Sequence, residues 1–221
     1  MVVWYEKIRK LDIYRYAAPL RAVVCGIALG GASYGGLYLY RLFQNRAAQK
    51  VVGLYLEDFR KELQKPEADI GRIATQFGNA GQELSSTSIA PYCFAFQAQA
   101  LFEKGDLAAG IQALQKAVES LPAQSPLFYL FKTKLALALL DAQDRGESAD
   151  QGLSMLTDVA RATDNIFKDY ALYYLGLYYW THNNLDEAKK VWQGLIDEYR
   201  HEKAVPSPWA QLAEQKLPFI L

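Results

Sequence analysis

The side chains in this sequence best suited to chemistry are two histidines, two cysteines and a few adjacent acidic pairs. His182 sits at a turn and His201 past the last long helical segment. Neither has a cysteine or carboxylate arrangement beside it that would hold a metal or activate a nucleophile. Cys25 and Cys93 lie in separate segments, so they form neither a disulfide framework nor a zinc pattern, and they read as small apolar fillers. The pairs Asp186-Glu187 and Asp197-Glu198 fall on polar helix faces, where they are solvated charges. No G-x-x-x-x-G-K, G-x-G-x-x-G or G-x-S-x-G motif is present. The expectation is a protein that catalyses nothing, takes no small-molecule substrate and needs no cofactor or metal. Its 24 Lys and Arg balance 24 Asp and Glu. That argues against nucleic acid, whose phosphates require a basic face.

With chemistry set aside, the elements carry the information. The stretch Ala22–Tyr40 is nineteen residues without a charge. As a helix it spans roughly 28 Å, close to the hydrocarbon thickness of a bilayer. Tyr34, Tyr38 and Tyr40 crowd toward one end, where an aromatic belt would sit. A transmembrane helix over residues 19–43 is predicted. A cleaved signal peptide is the rival, but its apolar region would be shorter and followed by a small-residue cleavage site. Lys7, Arg9, Lys10, Arg15 and Arg21 precede the span, whereas Arg41, Arg46 and Lys50 follow it. This excess favours a cytoplasmic N-terminus. Gly26 and Gly30, and Gly31 and Gly35, are spaced so that a second helix could approach closely, or they reflect the ordinary glycine content of a single span. Residues 1–18 are basic and aromatic, with Trp4, Ile8 and Leu11 at helical spacing. Either an interfacial amphipathic helix or a basic tail fits them.

Beyond the span, no sustained alternation of apolar and polar residues appears, and no Asn-Gly or Asp-Gly hairpin signal. Helical spacing is continuous instead. Val52, Tyr55, Leu56, Phe59 and Leu63 form one apolar stripe, stopped by Pro66. Ile70, Ile73, Ala74 and Phe77 form the next, ended by Gly78 and Gly81. Residues 44–89 thus read as a first helical hairpin followed by a linker. From Phe94 the chain reads helix, Gly105-Asp106 turn, helix, Pro122. Phe94, Ala98 and Leu101 face inward on the first helix of this unit, and Gly110, Leu114 and Ala117 on the second. A second such unit carries Leu172, Leu175, Gly176, Tyr179, Ala188 and Trp192 at matching offsets. Phe94 and Leu172 are 78 residues apart, which leaves room for a degenerate middle hairpin at Leu127–Ala142 and Ala149–Ala162 that lacks the signature glycine and proline. Ser207–Leu217 reads as a capping helix, with Trp209, Leu212 and Leu217 covering the last apolar edge.

These two units resemble the tetratricopeptide repeat, a unit of about 34 residues built as two antiparallel helices. The fold expected for residues 90–221 is therefore an all-α solenoid of helical hairpins. The whole layout also resembles the ancillary SecYEG translocon subunit family of Gram-negative bacteria: a short cytoplasmic N-terminus, one span and a periplasmic tetratricopeptide-like domain. That resemblance implies an inner-membrane protein that associates with the translocon or with a membrane-anchored periplasmic chaperone. A stoichiometric structural subunit of another large membrane complex is the alternative.

In repeats of this type the first helices of successive hairpins line a groove. Carrying those offsets over gives Tyr92, Phe102, Leu137, Asp141, Tyr170, Tyr173, Leu177 and Trp180. Aromatic rings on such a face supply contact area at little entropic cost; the competing expectation is that some of them pack against the C-terminal helix. Only Lys134 stands where a basic clamp for an acidic tail would need several lysines and asparagines. An apolar or extended polypeptide is the expected ligand.

Overall fold

The computed structural model describes the backbone of residues 13–65, 67–142, 149–201 and 207–219, and the side chains of 38–65, 67–142, 150–199 and 207–219. All regular structure among the described residues is helical. The helices are α1 (Ile13–Glu62), α2 (Ile70–Glu83), α3 (Ala90–Glu103), α4 (Leu107–Glu119), α5 (Phe128–Asp141), α6 (Ala149–Arg161), α7 (Lys168–Thr181), α8 (Leu185–His201) and α9 (Pro208–Lys216), followed by a 3₁₀ turn at Leu217–Phe219. The chain divides into two compact units, residues 1–49 and 50–221.

In the first unit the backbone is helical from Ile13 onward. Tyr38, Leu39, Tyr40 and Phe43 are exposed, and Gln44 Nε2 donates to Tyr40 Oη at 2.6 Å. Residues 1–12 of the expected interfacial segment lie outside the described residues, as do the packing of Gly26, Gly30, Gly31 and Gly35 and the side chains of most of the expected span. Among the described residues no helix is long and apolar enough to cross a membrane.

The second unit is a row of antiparallel hairpins. The end of α1 packs Val52 and Phe59 against Ile73 and Phe77 of α2, all buried. Gly78 and Gly81 do not end α2, which continues to Glu83. They are buried where α3 crosses: a methyl at Gly81 would sit 2.6 Å from Cε1 of Phe94, so the chain needs no side chain there. Asp69 caps α2 by accepting the Arg72 N–H at 2.9 Å, and Asp106 caps α4 by accepting the Ala109 N–H at 3.1 Å. Glu62 closes the same first hairpin. It accepts Lys65 Nζ at 2.8 Å, the Asp69 N–H at 3.0 Å and Arg72 Nη2 at 3.2 Å. These donors, Lys65 first, hold its carboxyl down at about 2.

Three hairpins follow, α3–α4, α5–α6 and α7–α8. The turns of the first and last of these share a device. Gly105 has φ 81° and Asn183 has φ 59°, and they stand 78 residues apart in the sequence. Each left-handed residue lets the next amide turn back onto the helix just ended. Asp106 N–H donates to Leu101 O at 2.9 Å, and Asn184 N–H to Tyr179 O at 2.8 Å. Asparagine serves at the second turn because it tolerates that conformation better than most residues.

The crossing points are made of small residues. Gly176 of α7 lies under the indole of Trp192, which is fully buried and donates Nε1 to Tyr173 O at 3.0 Å. Gly110 of α4 lies under the Phe102 ring. The middle hairpin does possess its glycine: a methyl at Gly152 would come 2.9 Å from the Ala136 carbonyl. It sits sixteen residues after Ala136, whereas Gly110 and Ala188 follow Ala98 and Gly176 by twelve. Extra residues between α5 and α6 moved it out of register. At the end, Ser207 Oγ accepts the Ala210 N–H at 3.2 Å to cap α9. Trp209, Ala210, Ala213 and Leu217 pack on α7 and α8, while Leu212, expected to cover that edge, points outward at 38% exposure.

Candidate functional site

Successive first helices α3, α5 and α7 lie along one face of the second unit, because each hairpin places its second helix behind the first. Two hollows open there. One of about 450 Å³ lies between α3–α4 and α5, with Ala98, Gln99, Phe102, Leu114 and Lys134 in its wall. The other, about 390 Å³, lies between α5 and α7, walled by Leu140, Tyr174, Leu177, Tyr178, Thr181 and His182. Leu137 and Asp141 of α5 border both, so the two hollows adjoin and together make up a trough. Its floor is leucine, alanine and aromatic ring; its polar groups stand at the rim.

Four of the residues expected to line a groove are found there: Phe102, Leu137, Asp141 and Leu177. The other four line neither hollow. Tyr92 sets its ring edge-on to Phe131, centroids 6.1 Å apart, within the core between α3 and α5. Tyr173 is buried and stacks on Trp192 with centroids 6.1 Å apart. Tyr170 meets Trp209 of α9 at 4.8 Å, and Trp180 meets Trp192 at 5.9 Å beneath Lys216 Nζ. For the three on α7 the cause is Trp192 of α8 together with α9, which folds back onto α7 and α8 and occupies the tyrosine-rich face. Burial pushes the Tyr170 phenol up to about 12, with Tyr174 close by adding to the effect. It also raises Tyr173.

On α7 the open stripe is instead Tyr174, Leu177, Tyr178 and Thr181, one residue step around the helix from the expected Tyr170, Tyr173, Leu177 and Trp180. Both stripes recur at helical spacing, and Leu177 belongs to each. The packing of Trp192 on α8 together with α9 chooses between them. The legible hint lay in Thr181 and His182, polar residues that a face covered by α9 would not accommodate. Gln99, at the rim of the first hollow, likewise signals solvent.

The rim is ordinary hydrogen-bonding surface. Gln99 Nε2 donates to Glu103 Oε1 at 2.8 Å. The Thr181 hydroxyl donates to the Leu177 and Tyr178 carbonyls at 3.1 and 3.0 Å. The His182 ring lies over Tyr178 with centroids 4.0 Å apart, its Nδ1 2.8 Å from the Tyr178 carbonyl. Among the described residues no group of three or more His, Cys, Asp or Glu is placed to hold a metal. Cys93 is fully buried, and burial drives its thiol up to about 11, away from the reactive thiolate. Glu198, expected to be a free surface charge, pairs with Lys168 Nζ at 2.9 Å and ties α8 to α7.

The arrangement has solved counterparts. A Podosopora anserina protein described as a candidate kinesin light chain with nearly identical TPR-like repeats superposes with a TM-score of 0.57 at 12% identity, over 78% of this chain and 86% of that one. A singly substituted form of that protein gives 0.58 at 12% identity, over 78% and 85%. At such identity the likeness is one of fold. No curated protein matches the sequence. The model of the tetratricopeptide repeat-like domain matches residues 16–218, nearly the whole chain, and the protein belongs to that family.

Proposed function

We propose that this protein is a membrane-anchored scaffold that holds polypeptide in the trough formed by α3, α5 and α7 and catalyses nothing. The observation that carries the proposal is the pair of hollows joined at Leu137 and Asp141, apolar below and uncharged over most of the rim. Membership in a repeat family that serves as a platform for protein–protein contact agrees with it.

The anchoring part rests on the charge-free stretch Ala22–Tyr40, on helical backbone through it, and on the exposed rings of Tyr38, Tyr40 and Phe43 at its end. In this reading the N-terminus is cytoplasmic and the hairpin domain lies in the periplasm, attached to the bacterial inner membrane. The partners are the protein-export channel or a membrane-anchored chaperone beside it, with extended or folding clients in the trough. The rival reading, a stoichiometric subunit held by its span and by its tyrosine-rich face, keeps the span, but Tyr170, Tyr173 and Trp180 are packed against α8 and α9.

Purification of the full chain from membranes in mild detergent tests both halves. Substituting Gln99→Trp or Thr181→Trp, which fill the hollows from the rim, is expected to strip co-purifying polypeptide. A change at Gln193 on α8, exposed and away from the trough, is expected to leave it. Equal recovery from all three would overturn the trough. Release of the protein by alkaline carbonate would overturn the anchor.

A further inference from the structure

We infer that the hollow between α5 and α7 is a binding site for a small organic cation that carries N–H donors on a flat apolar body. This goes beyond the polypeptide reading and does not depend on it, since it concerns a single hollow and a free ligand. Three properties of the hollow carry it.

The first is which hydrogens are already spent. The Thr181 hydroxyl donates to the Leu177 and Tyr178 carbonyls at 3.1 and 3.0 Å, so lone pairs are what it has left. His182 Nδ1 lies 2.8 Å from the Tyr178 carbonyl. A carbonyl oxygen only accepts, so Nδ1 holds the proton, and Nε2 of the neutral ring is an acceptor. Asp141 already interacts with another group, yet a carboxylate has about four lone-pair sites and donates nothing. All three residues line the hollow. Its polar wall is therefore rich in acceptors, and a donor complements it.

The second is charge. Asp141 lines this hollow, and among the described residues no lysine or arginine does. The neighbouring hollow differs, because Lys134 lines it. Lys134 stands seven residues before Asp141 on α5, about 10 Å along the helix. A cation is thus favoured between α5 and α7 and disfavoured on the other side of α5. Hydrogen bonds from a cation to a carboxylate are also roughly twice as strong as those between neutral groups.

The third is the apolar remainder. Leu137, Leu140, Leu177 and the rings of Tyr174 and Tyr178 complete the wall. Leucines take a flat apolar body, and a cation near a tyrosine ring is attracted by the ring's electron-rich face. At about 390 Å³ the hollow falls within the range of roughly 300–1,000 Å³ seen for small-molecule sites. A quaternary ammonium lacks the donors this wall calls for, and an anion opposes Asp141.

Benzamidine, a flat amidinium, is the probe, and benzamide is its uncharged isostere. Each is titrated against the full-length protein in non-ionic detergent by ligand-observed NMR, with protein-free micelles subtracted. Benzamidine is expected to bind about tenfold tighter than benzamide, and benzoate not at all. Asp141→Asn is expected to bring benzamidine down to the benzamide level. His182→Phe keeps a ring but removes Nε2, and is expected to weaken benzamidine about threefold or more. Thr181→Trp, which fills this hollow, is expected to abolish binding, whereas Gln99→Trp, at the other hollow, is expected to leave it unchanged. Circular dichroism checks that each variant is folded, and Thr181→Lys, which sets an ammonium in the wall, replaces Thr181→Trp if that variant is not. Equal binding of benzamidine and benzamide, no effect of Asp141→Asn, or loss on Gln99→Trp instead of Thr181→Trp would overturn the site. A Gly-Ser peptide with one arginine is expected to bind more weakly than benzamidine. Should it bind more tightly, the occupant is a side chain of bound polypeptide: the free-ligand assignment is overturned and the trough stands.

Discussion

At the scale of single residues, space decides which glycines matter. Gly176 is held against the Trp192 indole, whose Nε1 is committed to the Tyr173 carbonyl. Gly176→Ala is expected to cost about 1–3 kcal/mol, the usual range for overpacking a filled core. Gly194, on the exposed side of α8, has nothing within 4 Å of where a methyl would go, and Gly194→Ala is expected to stabilise by up to about 1 kcal/mol through helix propensity. Urea unfolding of the two variants checks the contrast; equal effects would mean that α7 and α8 do not cross at Gly176. Glu62 gives a pH signature. Its folded carboxyl titrates at about 2 against an unfolded value of 4.5, so its contribution is complete above 4.5 and is lost as pH falls toward 2. Glu62→Gln is expected to flatten the fall in unfolding midpoint across that window. Tyr170 has the opposite sign: its phenol is raised from 10 to about 12. The stabilisation from keeping it neutral is present below pH 10 and lost as pH rises through 12, and Tyr170→Phe is expected to remove this alkaline loss.

At the scale of elements, α9 decides more than its length suggests. It seals Trp192 and Tyr173 under Trp209, Ala210 and Ala213, so a chain ending before Ser207 is expected to lose several kcal/mol of stability. Its tryptophan emission should shift to the red as Trp192 and Trp180 meet water; an unshifted spectrum with an unchanged midpoint would show that α9 is not a structural cap. The same helix marks where sequence alone was sufficient and where it was not. The hairpins at Phe94 and Leu172 were legible because small residues, a left-handed turn and apolar stripes recur there at matching offsets, all properties of neighbouring positions. The middle glycine, Gly152, was not legible, because extra residues before α6 displaced it from the offset where it would be sought. Nor was the choice between the Tyr173 and Tyr174 faces of α7. Both have helical period and both rings meet Trp209, at 5.4 and 5.8 Å; what separates them is that Tyr173 also stacks on the buried Trp192 of α8, nineteen residues further along the chain. Gly78 and Gly81 misled for a related reason. In sequence a glycine pair ends a helix; in this fold it admits α3.

At the scale of the whole molecule, the second unit sets two largely apolar hollows side by side, and no single hairpin contains both. The shared wall comes from α5, the helix with the weakest repeat signature, since Leu137 and Asp141 border both hollows. Binding of polypeptide along that trough is the claim on which the functional reading stands. It is tested most directly by a photocrosslinking residue placed at Leu177 in the full chain, irradiated in intact membranes and compared with the same residue at Gln193 on the exposed surface of α8. Adducts to other polypeptides from Leu177, absent from Gln193 and lost on Thr181→Trp, are the expected result. Adducts from Leu177 confined to this chain's own residues, or matched by those from Gln193, would contradict it.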